Sequence, residues 1–285
     1  MNLKDLLSIP NLEKNEIINK MKKNIAKEKI KNGIPSIGTW VSSGNPLVCE
    51  TLATSGIDWI NIECEHSSID LGELVHCFRA VEHSDIPVFV RVAGSDPLII
   101  KRVIDSGALG IVVPDVKNAE EAKRAVDACR YPPVGTRGIG ATRPNAIYSD
   151  YMDHANEEIC VVIMIEDINA VNQIDSIMEV EGVDVVFIGP NDLAATLDVP
   201  LGMNNQHPKH VDAVNKVLEA GKRHNIPTGI HCGSPEEVIE RIEQGHLWMP
   251  LMSELALMRT SFASSMKQIK ENSKSSNLKS DGKFY

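Results

Sequence analysis

The sequence predicts a single-domain (β/α)₈ barrel, an α/β fold in which eight parallel strands alternate with helices. Between about residues 34 and 265 a short apolar run, a polar turn and a segment with helical spacing recur eight times. An interval of about 230 residues is the usual size of this fold. A doubly wound open sheet is the alternative, but such sheets usually have fewer strands, and no GxGxxG motif follows the first run.

The predicted strands are short and rich in β-branched residues, and they lack the apolar–polar alternation of a strand with one exposed face. This composition is typical of strands that are buried on both faces, as in a parallel sheet covered by helices. The eight runs are residues 36–41, 59–62, 88–92, 110–113, 161–165, 183–188, 228–231 and 247–251.

The segments between the strands carry helix start and stop signals. Asn118 is a predicted N-cap, and Ser234 is another with Pro235 at the first helical position. Gly107 is placed to end the helix that follows the third strand. We therefore expect a helix after each strand.

Two stretches fall outside the barrel domain, which is assigned to residues 25–270. Residues 1–24 are predicted to be an added helical extension that packs against the barrel or against another subunit. Residues 271–285, rich in Ser, Lys and Asn, are predicted to be a disordered tail. The interval 130–158 contains no strand, and an interval of this length is usually functional or carries small helices of its own.

Composition excludes several classes of protein. The 285 residues are 42% hydrophobic and 24% charged, with a net charge of −10 and no basic stripe, which argues against nucleic-acid binding. No apolar run is long enough to cross a bilayer, and the N-terminus lacks the apolar core of a signal peptide. Six scattered cysteines predict reduced thiols. We therefore expect a cytoplasmic protein whose partner is a small molecule.

Polar residues collect where the predicted strands end, which is the edge that carries the active site in barrels of this kind. Glu63, Glu65 and His66 follow the second strand, Arg91 ends the third, Asp115 follows the fourth, Glu166 the fifth, Asp192 the sixth, and His231 closes the seventh.

Arg91, Glu166 and Asp192 each allow two interpretations. An arginine inside an otherwise apolar strand is either a substrate-binding group or half of a structural ion pair. The two carboxylates suit a hard divalent cation such as Mg²⁺ or Mn²⁺ with open positions for substrate, but they could equally cap the helices that follow.

His66 is the best candidate for a general base among the nine histidines, because its loop faces the same end of the barrel. The alternative is a histidine with a structural role. Lys117 is the single lysine near the end of a strand, which weakens a Schiff-base mechanism.

Several segments, taken in order, resemble the HpcH/HpaI family of metal-dependent class II pyruvate aldolases, which includes 4-hydroxy-2-oxoheptanedioate and 2-dehydro-3-deoxyglucarate aldolases. The resemblance covers about residues 25–265. It is carried by INIECEH at 60–66, VR at 90–91, DP at 96–97, RYPPVGTRG at 130–138, IE at 165–166 and EGVDVVFIGPNDL at 181–193.

The resemblance implies a barrel of the phosphoenolpyruvate/pyruvate-binding type and a role for each matched position. Glu166 and Asp192 would hold a divalent ion (Mg²⁺, Mn²⁺ or Co²⁺), Arg91 would stabilise the enolate, and His66 would act as base. Asp105 would raise the basicity of that histidine. Gly189, Pro190 and Asn191, with Asp192, would contact the substrate carboxylate. The resemblance also implies a homo-oligomer, a hexamer in many relatives, with exchange of the last helix between neighbours.

Two positions depart from the family pattern. Many relatives have Asp where Glu63 stands, and Gln at the substrate-binding position occupied here by Met164, which cannot donate a hydrogen bond. The predicted function is cleavage of a 4-hydroxy-2-oxo acid to pyruvate and an aldehyde. The alternatives are an oxaloacetate-type decarboxylase, a citramalyl-CoA lyase-like enzyme, and a non-catalytic barrel that binds a 2-oxo acid or a metal.

Overall fold

The computed structural model describes residues 19–275 and confirms the predicted fold. Eight parallel strands close into one barrel in which each strand pairs with its neighbours in sequence and the eighth pairs with the first. The strands are β1 (Ser36–Val41), β2 (Trp59–Glu63), β3 (Val88–Arg91), β4 (Gly110–Val113), β5 (Cys160–Ile165), β6 (Val185–Ile188), β7 (Thr228–Ile230) and β8 (Trp248–Ser253).

Helices surround this barrel. They are α1 (Ile25–Lys31), α2 (Pro46–Leu52), α3 (Leu71–Ala80), α4 (Pro97–Ser106), α5 (Ala119–Cys129), α6 (Thr142–Ile147), α7 (Tyr151–Glu158), α8 (Ile168–Asn172), α9 (Ile174–Met178), α10 (Pro190–Thr196), α11 (Pro208–His224), α12 (Pro235–Gln244) and α13 (Glu254–Ser275). The predicted caps are confirmed: the side chains of Asn118 and Ser234 accept N–H bonds from α5 and α12, and Gly107 ends α4 with φ at 127°.

The barrel interior is filled by large aromatic side chains. The rings of Trp59 and Trp248 stack with their centroids 4.0 Å apart, and Phe187 meets Trp248 edge-on. A Cβ on Gly38 would lie 2.2 Å from the Trp59 ring, so only glycine leaves room for this pair on the first strand. The interior between the two ends is therefore a packed core.

The amino end of the barrel is closed by α1. Its Ala26 and Ile30 side chains pack into the interior cluster, and Lys27 bonds to Asp184 and to the Ile159 carbonyl. Arg130 donates to the same carbonyl and to Asp184 at 3.1 Å. Two of the segments that carry the family resemblance thus meet at the end of the barrel opposite to its polar mouth, where they stabilise the fold.

The boundaries of the domain differ from the predicted ones. Of the predicted helical extension, residues 1–18 lie outside the described residues, and residues 19–24 form no helix. Helix α13 continues to Ser275, five residues into the predicted tail, because Lys, Gln and Glu favour helix and Lys267 pairs with Glu271 one turn later. The interval 130–158 carries α6 and α7, two small helices of its own.

No helix between residues 19 and 275 combines the length and the apolar character needed to cross a bilayer.

Candidate active site

A cavity of about 260 Å³ opens at the carboxyl end of the barrel. Its lining comes from the carboxyl ends of seven of the eight strands and includes most of the residues predicted from the sequence. These are Glu63, His66, Arg91, Met164, Gly189, Pro190, Asn191 and Asp192, joined by Trp40, Ser42, Phe187, Met203, His231 and Ser253. Within residues 19–275 no lysine lines this cavity, and Lys117 is partly exposed and pairs with Asp115.

Glu63 at the end of β2 organises the polar side of the cavity. One carboxylate oxygen accepts the backbone N–H groups of Glu65 and His66 at 2.8 and 2.9 Å, which fixes the loop that carries both residues. The other oxygen accepts Nε of Arg91 at 2.6 Å. Because the side chain is buried and every bond to it is made by a donor, Glu63 acts as a carboxylate acceptor.

We expect Glu63→Gln to lower kcat for pyruvate release by about 10- to 100-fold while the fold is kept. An amide offers one acceptor oxygen and one N–H₂ donor, so the donor must face either the Arg91 guanidinium or the two loop N–H groups. Arg91 and His66 then lose their common support. Steady-state kinetics and circular dichroism measure the two effects, with Glu73→Gln on the exposed start of α3 as the matched control. Kinetics equal to those of the native enzyme would contradict this role.

Arg91 is held on several sides. Its guanidinium lies over the Trp40 ring at 4.7 Å from the centroid, and Nη1 lies 3.3 Å from Glu65 and 3.8 Å from the Met164 sulfur. Nη2 makes no hydrogen bond to any residue in the range 19–275. Arg91 is therefore half of an ion pair and also a cavity-lining group with a free donor, and its role as a substrate-binding group stays a prediction.

His66 lies at the rim of the cavity. Its side chain is 69% exposed, and its ring nitrogen Nε2 is 3.6 Å from Glu65. A histidine with a structural role is usually buried and hydrogen-bonded. The exposed position of His66 therefore favours the prediction of a general base over a structural role. Glu65 itself is partly buried, and burial together with the charges of Glu63 and Asp192 raises its pKa against the opposing effect of Arg91 and His66.

Glu166 at the end of β5 is a buried carboxylate. One oxygen accepts the backbone N–H of Asp115 at 2.8 Å. Burial raises its pKa to about 7, and the nearby charges of Asp192 and Glu65 add to this effect, although the Asp115 bond and Arg91 oppose it. A Cβ on Gly189 would lie 2.6 Å from the second oxygen of Glu166 and from the Met164 methyl group, so a larger residue here would displace the ends of both side chains.

The capping alternative for the two carboxylates is wrong. Helix α8 is capped by Asp167, whose side chain accepts the Asn169 N–H, and Glu166 takes no part. Helix α10 begins at Pro190 after Gly189 and has no side-chain cap. Neither carboxylate therefore caps the helix that follows it.

The charge balance fits a divalent cation. Glu65, Glu166 and Asp192 interact through their charges, and Arg91 is the basic side chain that offsets them. The described residues contain no group of three or more His, Cys, Asp or Glu side chains arranged to enclose a metal. Glu166 and Asp192 are the carboxylates whose oxygens could hold such an ion.

Asp105 does not lie in this cavity. It is on the outer face of α4, where one carboxylate oxygen accepts Nη2 of Arg137 at 2.6 Å, and Arg137 also bonds to Tyr151. Within one chain the structure does not bring Asp105 to His66, because the helices form the outer layer of the barrel. Asp115 contributes its backbone N–H to the site, while its side chain turns to Lys117.

Sequence reasoning missed the supports of the site. The Trp40 ring lies under the Arg91 guanidinium, and the carboxylates of Glu63 and Glu65 contact that guanidinium from the side. Glu63 and Glu65 were visible at the end of the second strand, but their partners were not. Trp40 gave no signal, because an aromatic residue in a buried strand is ordinary core.

The chain is similar to known proteins over most of its length. The model of the HpcH/HpaI aldolase/citrate lyase family matches residues 36–246. The chain is 35% identical to 2-dehydro-3,6-dideoxy-6-sulfogluconate aldolase of Pseudomonas putida over 78% of this chain and 88% of that one. It is 39% identical to 2-keto-3-deoxy-L-rhamnonate aldolase of Escherichia coli K12 over 76% and 80%.

A solved structure is similar over nearly the whole barrel. The HpcH/HpaI aldolase of Desulfitobacterium hafniense superposes with a TM-score of 0.81 at 30% identity, covering 86% of this chain and 96% of that one. The predicted enzyme class, a carbon–carbon lyase of the aldolase type, is confirmed by these relatives. The chain belongs to the HpcH/HpaI aldolase/citrate lyase family.

Proposed function

We propose that the protein is a metal-dependent aldolase that cleaves a 4-hydroxy-2-oxo acid to pyruvate and an aldehyde. One observation carries the proposal: Arg91, Asp192 and His66 line the same cavity. The Glu166 carboxylate lies beside Gly189, which lines that cavity as well. The named aldolase relatives act on 2-oxo-3-deoxy acids, which contain the same pyruvate-forming unit.

Mg²⁺, Mn²⁺ or Co²⁺ held by Glu166 and Asp192 would supply a Lewis acid at the 2-oxo group. Arg91 binds the oxygen at C2 through the free Nη2 donor and stabilises the negative charge that develops there. Gly189, Pro190 and Asn191 place the first turn of α10 beside the substrate carboxylate, with Met164 forming the apolar wall next to it.

His66 accepts the proton of the C4 hydroxyl, since it lies at the rim of the cavity where the reacting carbon chain enters. The C3–C4 bond breaks, its electron pair passes to C3 and C2 as the enolate, and the aldehyde leaves. A proton returned to C3 then gives pyruvate. Asp105 has no contact with these groups within one chain, and we assign it instead to the positioning of Arg137.

The test is pyruvate release from a panel of 4-hydroxy-2-oxo acids and oxaloacetate, coupled to lactate dehydrogenase, with each metal and with EDTA. We expect pyruvate from a hydroxy-oxo acid with metal and none with EDTA. If pyruvate were formed from oxaloacetate and from none of the hydroxy-oxo acids, the protein would be a decarboxylase and not an aldolase. Binding of metal and 2-oxo acid without any turnover would favour a non-catalytic barrel.

We further propose a cytoplasmic homo-oligomer, a hexamer by family resemblance. All six cysteines are free thiols, as expected in a reducing compartment. The last helix, α13, carries an exposed apolar stripe at helical spacing, formed by Leu255, Met258, Phe262, Met266 and Ile269. A stripe of this kind is typical of a surface that another subunit covers. Sedimentation equilibrium of the full chain tests the assembly, and a monomeric mass would contradict it.

A further inference from the structure

The first turn of α13 is bonded to the loop that follows β1. Glu254, the first residue of α13, is buried, with 9% of its surface exposed. Its Oε1 accepts the backbone N–H of Ser42 at 2.9 Å and that of Ser43 at 2.7 Å, and Oε2 lies 3.0 Å from the Ser42 nitrogen. The proposed cleavage gives no role to this carboxylate, although Ser42 lines the cavity.

A bulge in β8 brings Glu254 to this position. The register between β1 and β8 shifts between Gly38 and Trp40, so that β8 carries one extra residue. Met252 takes up this residue in a left-handed conformation with φ at 52°, which residues with a side chain rarely adopt. The Thr39 hydroxyl donates to the Met252 carbonyl at 3.2 Å and so holds the bulge in place. Bulges beside active sites typically redirect a side chain, and here the redirected side chain is that of Glu254.

The bonds from Glu254 fix the end of β1 and with it the Trp40 side chain. Trp40 comes two residues before Ser42, and its ring centroid lies 4.7 Å from the guanidinium carbon of Arg91. Glu63 bonds that guanidinium through Nε, whereas the Trp40 ring covers one of its faces. The orientation of the guanidinium therefore depends on where β1 ends.

The barrel itself does not depend on the Glu254 carboxylate. Ser43 is exposed and Ser42 is partly exposed, so water reaches both N–H groups once the carboxylate is removed. The closed sheet and the packed interior are formed by other residues. Loss of the carboxylate therefore releases the loop after β1 while the barrel stays closed.

We propose that Glu254 is a positioning residue for Arg91. It holds the loop after β1, which keeps the Trp40 ring against the guanidinium and directs the free Nη2 donor at the oxygen at C2. This inference rests on the proposed aldolase function, in which that donor stabilises the enolate. A displaced donor weakens binding of the transition state more than binding of the substrate, because the negative charge on the oxygen develops during the reaction.

The experiment compares three substitutions of Glu254 with Mn²⁺ present, in pyruvate release and in exchange of pyruvate methyl protons in D₂O. Glu254→Ala removes the acceptor and should lower kcat and the exchange rate about tenfold, with KM changed less than about threefold. Glu254→Gln keeps the length and one oxygen. Since Oε1 alone accepts both N–H groups, this variant should retain kcat within about threefold. Glu254→Asp keeps the charge but is one methylene shorter, and its kcat should lie between the other two.

Glu158→Ala is the matched control. The Glu158 carboxylate also accepts a backbone N–H, that of Asn24 at 2.7 Å, but at the amino end of the barrel, opposite to the cavity. It should lower the melting temperature, as Glu254→Ala does, and leave kcat and the exchange rate unchanged. A loss of kcat and exchange in Glu254→Ala alone thus separates positioning from stability.

Equal kcat and exchange in Glu254→Ala and Glu158→Ala would overturn the inference, because Glu254 would then serve stability alone. A kcat of Glu254→Asp equal to or above that of Glu254→Gln would overturn it as well, since the charge and not the reach of the acceptor would then matter. This second comparison stands even where Glu254→Ala does not fold. Cleavage and exchange by the native enzyme without the expected order of variants reject the positioning role alone. No exchange and no cleavage by the native enzyme reject the aldolase, and the inference with it.

Discussion

Glu166→Gln is expected to lower metal-dependent pyruvate release at least about a thousandfold. The amide keeps an oxygen for the Asp115 N–H but removes the negative charge that a divalent ion requires. Loss of a Lewis acid at the reacting carbonyl costs several kcal/mol of transition-state stabilisation, and each 1.4 kcal/mol is about tenfold in rate. Coupled assays and isothermal titration with Mn²⁺ measure activity and metal affinity.

The same substitution should leave the metal-free protein as stable as before or more stable. The pKa of Glu166 is raised from 4.5 to about 7 in the folded state, so its ionisation opposes folding increasingly between about pH 4.5 and 7, and the full effect is present above pH 7. A neutral amide removes this effect, and in EDTA at pH 8 the variant should unfold at the same or a higher temperature. Asp167→Asn, on the adjacent exposed cap, is the control and should keep its activity within about twofold. Full metal-dependent activity in Glu166→Gln would exclude Glu166 as a ligand.

Arg91→Lys is expected to lower kcat/KM by about 100- to 1,000-fold, the usual cost of removing one donor from a developing oxyanion. Lysine cannot reproduce a planar group that bonds Glu63 through Nε, approaches Glu65 through Nη1 and keeps Nη2 for substrate. Its single ammonium group would be drawn to the buried carboxylates. Exchange of pyruvate methyl protons in D₂O reports the enolate step directly and should fall by a similar factor.

Arg124→Lys is the matched control, because this exposed arginine makes one bond to Ser95 outside the cavity. It should retain native kinetics. If Arg91→Lys kept the exchange rate and lost only affinity for the 4-hydroxy-2-oxo acid, Arg91 would bind the substrate without stabilising the enolate.

Much of the fold could be predicted because its signals are local. The eight apolar runs locate all eight strands to within a few residues; 36–41 and 110–113 match in full, and the sixth begins at Val185 rather than at residue 183. Asn118 and Ser234 cap their helices as expected, since a cap depends on a few neighbouring residues. Where a strand ends also follows from the run, which is why Arg91, His66 and Asp192 could be assigned to one end of the barrel.

The tertiary structure alone decided which of these groups touch. Glu63 and Arg91 are 28 residues apart, and their bond exists because β2 and β3 pair with these two residues opposite each other. The raised pKa of Glu166 depends on burial and on the charges of Asp192 on α10 and of Glu65 in the loop after β2, none of which a linear pattern contains. Asp105 was placed by resemblance, and the structure puts it on an outer helix beside Arg137. The sequence by itself determined the barrel and the end at which chemistry occurs, because hydrophobic period and turn residues are local. The pairing of charges was decided by the closure of the barrel, because it brings distant strand ends together in a space from which water is largely excluded.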